Sequence, residues 1–217
     1  GNGNTTMSIF PHYEIFPSGV AQVANGGVTS VFLKTTGDVW TTGYGWYGNL
    51  GDGSQFGVPH TLVTTPVQVM ASAGSAFSTV VAGGTGVAQV AAGYQHTMCV
   101  KTDGSLWGWG YGYLGQMGGT ATPQYPTQII SSGVAQVVCG NEFTFIIKTN
   151  GSLWCTGDNV NGQLGDNSTT QRNGFYEIET SGVTSVTLGS SGTTLYVKSG
   201  ALWGMGYNRT GGLGNGT

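Results

Sequence analysis

The chain has 217 residues, of which 41 are glycine and only 7% are charged. Aromatic residues make up 11% and hydrophobic residues 38%, enough for a packed core, so the composition predicts many short strands joined by tight turns and excludes a helical protein. Six Lys and Arg residues against nine Asp and Glu residues give a net charge of −3, which argues against binding nucleic acid phosphates. No apolar run approaches the ~18 residues that a membrane-spanning helix needs.

Three short phrases recur in one register along the chain. The first, Gly-Val-Ala-Gln-Val, stands at 19–23, 86–90 and 133–137, with a looser copy at 182–186. The second runs from a lysine to a tryptophan at 34–40, 101–107, 148–154 and 198–203. The third is a Leu-Gly or Met-Gly turn at 49–53, 116–118, 163–166 and 212–216. We therefore interpret 1–217 as a single repeat domain with units at 1–50, 51–117, 118–164 and 165–213 and the start of a fifth at 214–217.

Each unit predicts the same order of elements. The Gly-Val phrase predicts a short strand, and an apolar run such as 143–147 predicts a second one. An Asp-Gly or Asn-Gly pair then predicts a two-residue hairpin turn, after which Ser-Leu-Trp begins the returning strand. Pro66 and Pro126 begin a further short strand, where a missing N–H does least harm. Units of about 50 residues with three or four antiparallel strands have the size of a propeller blade.

These phrases resemble the repeats of the regulator of chromosome condensation family over essentially the whole chain. The resemblance implies an all-β fold, a β-propeller with blades of about 50 residues, of which about seven close a ring. Four repeats are present here, and both ends fall in the same motif slot. We expect an excerpt of a longer propeller, with a four-repeat arc and one link of a continuing array as alternatives. The family includes exchange factors for small GTPases, a propeller-type β-lactamase inhibitory protein and many bacterial and phage proteins, so the resemblance does not choose a function.

Aromatic residues gather in the loop that follows each tryptophan strand. Because they occupy equivalent repeat positions, we expect them to share one face, where Tyr and Trp typically contact proteins or sugars. The alternative is that they pack between blades. The candidates are Tyr44, Trp46, Tyr47, Trp109, Tyr111, Tyr113 and Tyr207. The tryptophans present in every unit are instead predicted to be core residues: Trp40, Trp107, Trp154 and Trp203.

Unit two is longer than the others because of the uncharged segment 70–86. Insertions in repeat proteins often lie on the binding face, so this segment is a second candidate contact element. Its apolar residues are Met70, Phe77, Val80 and Val81. The alternative is an extra hairpin lying on its own blade.

Two stretches, 43–48 and 110–115, match the dinucleotide pattern G-x-G-x-x-G but lead into turns rather than into a helix. The corresponding slots in units three and four carry Asn159 and Asn208 in place of Gly45 and Gly112. Glycine and asparagine both tolerate the left-handed region, so we interpret the slot as a backbone requirement and expect no nucleotide cofactor.

Residues with catalytic or metal-binding potential form no convincing set. The segments 158–162 and 165–167 lack calcium-loop spacing and are better explained by Asx turns, so no metal is predicted. Glu177 and Glu179 are interpreted as solvated strand residues. No histidine shares a repeat slot with another, and the three cysteines are predicted to be buried and free, with one bridge as the alternative: His12, His60, His96, Cys99, Cys139 and Cys155. We expect no enzyme and no cofactor.

The sequence thus favours a non-catalytic binding or structural propeller of an extracellular or virion-surface assembly. It would act through contacts with a protein partner or with further copies or repeats of itself. Two alternatives stay open: a sugar-binding, lectin-like propeller that recognises carbohydrate, and a regulator resembling the exchange factors of small GTPases.

Overall fold

The computed structural model describes residues 14–54, 62–72, 75–77 and 86–216, and every regular element in these ranges is a strand. Four antiparallel meander sheets, here called blades 1 to 4, follow one another along the chain. Blade 1 consists of β1 (Val20–Asn25), β2 (Thr29–Lys34), β3 (Val39–Tyr44) and β4 (Leu62–Gln68). A small hairpin follows, made of β5 (Met70–Ser72) and β6 (Ser75–Ala76).

The other three blades repeat the meander. Blade 2 consists of β7 (Val87–Ala92), β8 (His96–Lys101), β9 (Leu106–Gly110) and β10 (Thr127–Ile130). Blade 3 consists of β11 (Val134–Cys139), β12 (Phe143–Lys148), β13 (Leu153–Gly157) and β14 (Arg172–Glu179). Blade 4 has three strands, β15 (Val183–Leu188), β16 (Thr193–Lys198) and β17 (Ala201–Gly206). The predicted all-β blade architecture with four repeats is confirmed. Each sheet starts at the Gly-Val phrase, so the sheets are offset from the sequence units.

The first strands of consecutive blades contact one another, which places β1, β7, β11 and β15 on the inner side of the arc. A register shift after the first valine bulges each of these strands at the same position. The glutamine that follows the bulge then reaches the next blade. Gln22 Oε1 accepts the Val90 N–H at 2.9 Å, and Gln89 binds both the N–H and the carbonyl of Val137. These bonds explain why the phrase contains glutamine.

The hydrophobic core lies between the blades rather than within them. Three clusters fill the three interfaces, and their most buried side chains come from β2, β8, β9, β12 and β13 and from the loop residues Val69 and Leu164. The first interface contains Val31, Leu33 and Trp109, the second Met98, Leu106 and Ile146, and the third Phe143, Phe145 and Leu153. Each blade thus buries both of its faces only when its neighbours are in place.

The hairpin turns between second and third strands differ from the predicted two-residue form in blades 1 to 3. The Lys148 N–H donates to the Ser152 carbonyl across a three-residue loop, and only Gly151, with φ 79°, is left-handed. Blade 4 has one residue fewer in this turn. Ser199 (φ 51°) and Gly200 (φ 81°) are both left-handed and form the two-residue turn there.

The prediction that the repeated tryptophans are core residues is wrong. Trp40, Trp107 and Trp154 are half-buried, and Trp203 is 50% exposed. In blades 1 to 3 the lysine that ends the second strand lies over the indole across the hairpin, as Lys148 Nζ does 3.8 Å from the Trp154 ring. The spacing from lysine to tryptophan in the repeat therefore supports a cation–π contact, in which an aliphatic stem covers the ring.

The described residues of the insertion after β4, 70–72 and 75–77, pack against blades 1 and 2. Phe77 is only 4% exposed and packs against Trp107 and Trp109, with Lys101 Nζ 4.6 Å from its ring. Met70 is half-buried, and its N–H donates to the Gly51 carbonyl. The contact role predicted for Phe77 is wrong, because the hairpin brings this ring into the interface of blades 1 and 2. Val80 and Val81 lie outside the described residues.

Candidate binding face

Two sets of connections emerge on the same side of the arc. Because Thr29 at the start of β2 pairs with Gly43 near the end of β3, the turn before β2 and the loop after β3 leave the sheet together. We call this side the loop face. The opposite side, which carries the hairpins between second and third strands and the connections between blades, is the hairpin face. The described part of the insertion after β4, residues 70–72 and 75–77, follows the end of β4 on the hairpin face, so it lies on the side opposite the aromatic loops.

Five aromatic rings form a continuous row on the loop face, from Tyr44 through Trp46, Tyr47 and Tyr111 to Tyr113. Successive ring centroids lie 5.9, 6.3, 4.7 and 5.4 Å apart. The closest pair, Tyr47 and Tyr111, joins blade 1 to blade 2. Tyr113 is 56% exposed and the other four rings are half-buried. We call this row the aromatic strip; it contains five of the seven predicted candidates.

Trp109 does not belong to the strip and is corrected to a core residue. Its indole is fully buried, and Nε1 donates to the Asn49 carbonyl of blade 1 at 3.1 Å. β9 extends to Gly110, so Trp109 is a strand residue facing the neighbouring blade rather than a loop residue. A Cβ on Gly51 would lie 2.7 Å from this nitrogen, and the glycine thus lets the indole approach.

Tyr207 is half-buried on blade 4, where its N–H donates to Gly192 and its carbonyl accepts the Thr193 hydroxyl. Among the described residues no ring contact joins it to the strip. The loop of blade 3 lies between them, and it carries Asp158 and Val160 at the positions of Tyr111 and Tyr113. The loop face therefore changes from aromatic on blades 1 and 2 to acidic on blade 3.

The loops that carry the strip are held by buried amide side chains. Asn49 is 1% exposed; its Nδ2 donates to the Tyr44 carbonyl and its Oδ1 accepts the Tyr47 N–H. Gln116, fully buried, accepts the Leu114 N–H in the same way in blade 2. Buried side chains thus restrain the backbone of the two loops that carry the rings.

The interpretation of the shared Gly/Asn slot as a left-handed position is wrong. Gly45 and Gly112 have no positive φ, and neither does Asn159. A Cβ on Gly45 would lie 2.6 Å from a Leu50 methyl group, so the glycine is needed for space. Asn159 instead ties its loop together, since its Oδ1 accepts the Leu164 N–H and its Nδ2 donates to Asp166.

The loop of blade 3 is held by polar side chains. Asp166 accepts hydrogen bonds from Ser168 and pairs with Arg172 at 2.5 Å. Burial opposes ionisation of Asp166, but the bonds from Ser168, Arg172 and Asn159 outweigh it and hold the pKa of this carboxyl below its ordinary value. In the described part of the chain no three His, Cys, Asp or Glu residues come together as metal ligands.

Buried titratable groups are unreactive by environment. Burial lowers the pKa of His96 to about 3, so the imidazole is neutral, and its Nε2 lies 2.9 Å from the Thr144 hydroxyl. All three cysteines are free, and burial raises the pKa of Cys99 and of Cys139 to about 12. Cys99 and Cys155 are buried as predicted, whereas Cys139 is half-buried. A protonated thiol is a poor nucleophile.

The turns before the second strands also lie on the loop face, although no sequence motif predicted a role for them. Tyr94 is 41% exposed, and its N–H donates to the Asn141 carbonyl. The next residue, Gln95, accepts the Tyr111 N–H at its carbonyl, which joins this turn to the strip. Burial and then the charges of Glu142, Tyr47 and Tyr113 raise the pKa of Tyr111. These turns differ in every repeat, and that variability within an otherwise regular repeat is the signal that could have identified them.

This arc of meander blades, with a variable loop face, defines a β-propeller repeat protein. The sequence pattern described as Regulator of chromosome condensation (RCC1) repeat matches in two forms, at 36–100 and 103–147 and at 87–116 and 134–163. The chain belongs to the RCC1 repeat family.

Individual relatives match a part of their length. Over 122 residues the chain is 28% identical to the ultraviolet-B receptor UVR8 of Arabidopsis thaliana, covering 54% of this chain and 24% of the receptor. Human WBSCR16 is similar with a TM-score of 0.73 at 24% identity, over 93% of this chain and 51% of that one. Yeast RCC1 (Prp20), solved in complex with Kap60, is similar with a TM-score of 0.70 at 18% identity, over 87% of this chain and 44% of that one. The chain thus spans about half of these structures or less, and the structural likeness shows the fold.

Across the described ranges, no helix is long and apolar enough to cross a membrane.

Proposed function

We propose that the chain is a non-catalytic protein-binding module whose contact surface is the aromatic strip. The observation that carries this proposal is the unbroken row of five rings across two blades, ending in the exposed Tyr113. Tyrosine and tryptophan offer large amphipathic contact areas with few rotatable bonds, which is why they dominate binding hot spots. Because neighbouring rings already restrain one another, little conformational freedom is left to lose on binding.

Protein partners are also known for one of the proteins with a similar structure. Yeast Prp20 was solved in complex with Kap60, and a second study of Prp20p concerns its binding to Gsp1p and histones. Non-catalytic action is supported by the neutral, buried His96 and the protonated thiols, which offer no activated nucleophile or base. The carbohydrate alternative receives less support, because the rings of the strip meet mostly edge to face or tilted rather than forming one flat platform.

The test is a peptide-display selection on the immobilised chain, with binding then measured for the wild type and for Tyr47→Ser/Tyr113→Ser. We expect selected peptides to lose at least about tenfold in affinity on the double variant, since truncation of central interface aromatics costs about 2 kcal/mol or more. Val160→Ser is the matched control: it is exposed, apolar and at the repeat position of Tyr113, but belongs to blade 3. Equal binding to the double variant, or displacement of the peptides by simple sugars, would refute the proposal.

We further propose that this module works outside a cytoplasm or on a virion, as part of an assembly. The low charge and the richness in glycine support this placement. Protease shaving of intact cells or particles provides the test. The protein should be removed without lysis; protection until lysis would contradict the placement.

A further inference from the structure

A polar pocket opens on the loop face beside the aromatic strip. It has a volume of about 340 Å³ and lies between the turns and loops of blades 3 and 4. Its wall contains the ring of Tyr94, the carboxylates of Glu142 and Asp158, and the side chains of Asn161 and Ser191. Tyr94 of this wall precedes Gln95, whose carbonyl accepts the Tyr111 N–H at 2.8 Å, so the pocket adjoins the strip.

The two carboxylates of the pocket take part in no ion pair within the described residues. Among the described residues the two ion pairs are Arg172 with Asp166 and Lys198 with Glu179, so neither carboxylate of the pocket has a cationic partner. All four lysines of the chain end second strands on the hairpin face, away from the pocket. The Asp158 N–H donates to the Glu142 carbonyl at 2.8 Å, so the two acidic residues are adjacent, and burial and then the charge of Asp158 raise the pKa of Glu142.

The remaining hydrogen-bonding capacity also favours a donor. Asp158 accepts the Val160 N–H and a bond from Gln163, and the Asn141 amide donates to the Ser190 carbonyl. These donors are already engaged, and the carboxylate of Glu142 lines the cavity together with that of Asp158. An aromatic ring beside paired carboxylates is a favourable environment for a guanidinium or ammonium group, which gains charge-assisted hydrogen bonds and a cation–π contact.

We propose that this pocket receives a single arginine or lysine side chain of the protein that contacts the aromatic strip. The inference rests on the proposed function, because it assigns a charged anchor to the same partner. The partner is then a segment with a basic residue next to the residues that pack on Tyr113 and Tyr47. The planar fork of arginine matches two separate carboxylates better than the point charge of lysine does.

The test uses N-acetyl-arginine amide as the probe and its neutral isostere N-acetyl-citrulline amide as the comparison. Amide shifts near Glu142 and Asn161, followed by NMR on the full chain, should saturate with arginine amide and be at least about fivefold weaker with citrulline amide. Glu142→Gln should weaken arginine binding about tenfold and remove the discrimination. Glu177→Gln, an exposed carboxylate on the outer strand of blade 3, is the matched control and should bind as the wild type does.

Three results would overturn the inference: equal binding of both probes, no saturation, or saturable shifts at the pocket with methyl glucoside but not with arginine amide. Amide dispersion checks that each variant is folded. Failure here is distinct from failure of the proposed function. If Tyr47→Ser/Tyr113→Ser abolishes binding of the selected peptides while the arginine probe fails, the strip stands and the pocket does not. If the arginine probe binds but the selected peptides bind equally well to the wild type and to Tyr47→Ser/Tyr113→Ser, the pocket stands and the strip does not.

Discussion

The two faces of the arc use the same repeat in opposite ways. On the hairpin face blades 1 to 3 repeat one arrangement, a lysine lying over the tryptophan of the next strand, as Lys101 does 4.3 Å from Trp107. On the loop face the equivalent positions differ: Tyr111 in blade 2 is Asp158 in blade 3, and Tyr113 is Val160. The recurring contact thus stabilises the hairpin of each of these three blades, whereas the positions that differ from blade to blade make the loop face aromatic on blades 1 and 2 and acidic on blade 3.

Trp109→Ala tests whether this aromatic residue belongs to the packing between blades rather than to the loop face. The residue was expected on the binding face, but the structure buries it between blades 1 and 2 with its N–H bonded to Asn49. We expect a loss of about 3–5 kcal/mol in the free energy of unfolding, the usual range for emptying a buried aromatic site. A denaturant melt measures it. A loss below about 1 kcal/mol, within the range of an exposed site, would return Trp109 to the binding face.

Trp154→Ala tests the hairpin face. The indole is half-buried, lies 3.8 Å from Lys148 Nζ and donates to the Ser152 hydroxyl. We expect a loss of about 2 kcal/mol, smaller than for Trp109, because part of the ring is in solvent and the cation–π contact is partly screened. Lys148→Met is the control that keeps the stem and removes the charge. If the two tryptophan variants cost the same in matched melts, the ring is a core residue after all.

Glu179→Gln sets a paired carboxylate of the hairpin face against the unpaired Glu142 of the loop face. Glu179 joins blade 3 to blade 4 through Lys198 at 2.5 Å and the Tyr196 hydroxyl at 2.8 Å. The hydrogen bond from Lys198, and then that from Tyr196, hold the pKa of Glu179 below its ordinary value. We expect the substitution to cost about 1–2 kcal/mol at neutral pH.

The lowered pKa of Glu179 also predicts how the stability of the fold changes with pH. A carboxyl whose pKa is lower in the folded state stabilises the fold above its ordinary pKa near ~4, and the contribution is lost as the pH falls through the folded value. The wild type should therefore lose stability on acidification in this window, and the Glu179→Gln chain should lose less. Glu142→Gln should not reproduce this, because the pKa of Glu142 is raised. Parallel acid melts of all three proteins decide the matter; identical slopes would show that Glu179 carries no such linkage.

Tyr113→Ser is expected to have the smallest effect on stability. The ring is 56% exposed and contacts Tyr111 at its edge, so we expect a change within about 0.5 kcal/mol in a thermal or denaturant melt. Together with reduced peptide binding, this result would separate the binding role of the strip from the packing role of the other aromatic residues. A loss above about 2 kcal/mol would instead place the strip among the structural contacts between blades.

The sequence by itself determined the all-β class, the four blade repeats and the five residues of the aromatic strip, although it also added Trp109 and Tyr207 to them. Repeats identify equivalent positions directly, and five of the seven loop aromatics do lie in one row. The sequence predicted the length of the hairpin turns between second and third strands only in part. Blade 4, which is one residue shorter near Ser199, has a two-residue turn, whereas the other blades have a three-residue turn with one left-handed glycine.

Only the tertiary structure decided which aromatic rings face solvent. Trp107 and Trp109 stand two residues apart on the same side of β9, yet the first is half-buried and the second has no exposed surface. The loop of blade 1, through Gly51 and Asn49, covers one indole and not the other. The same holds for the surroundings of Glu142, since the pocket that it lines also contains Tyr94 of blade 2 and Ser191 of blade 4. A repeat pattern fixes what each blade resembles, but burial and charge are set by contacts between blades, which no single unit contains.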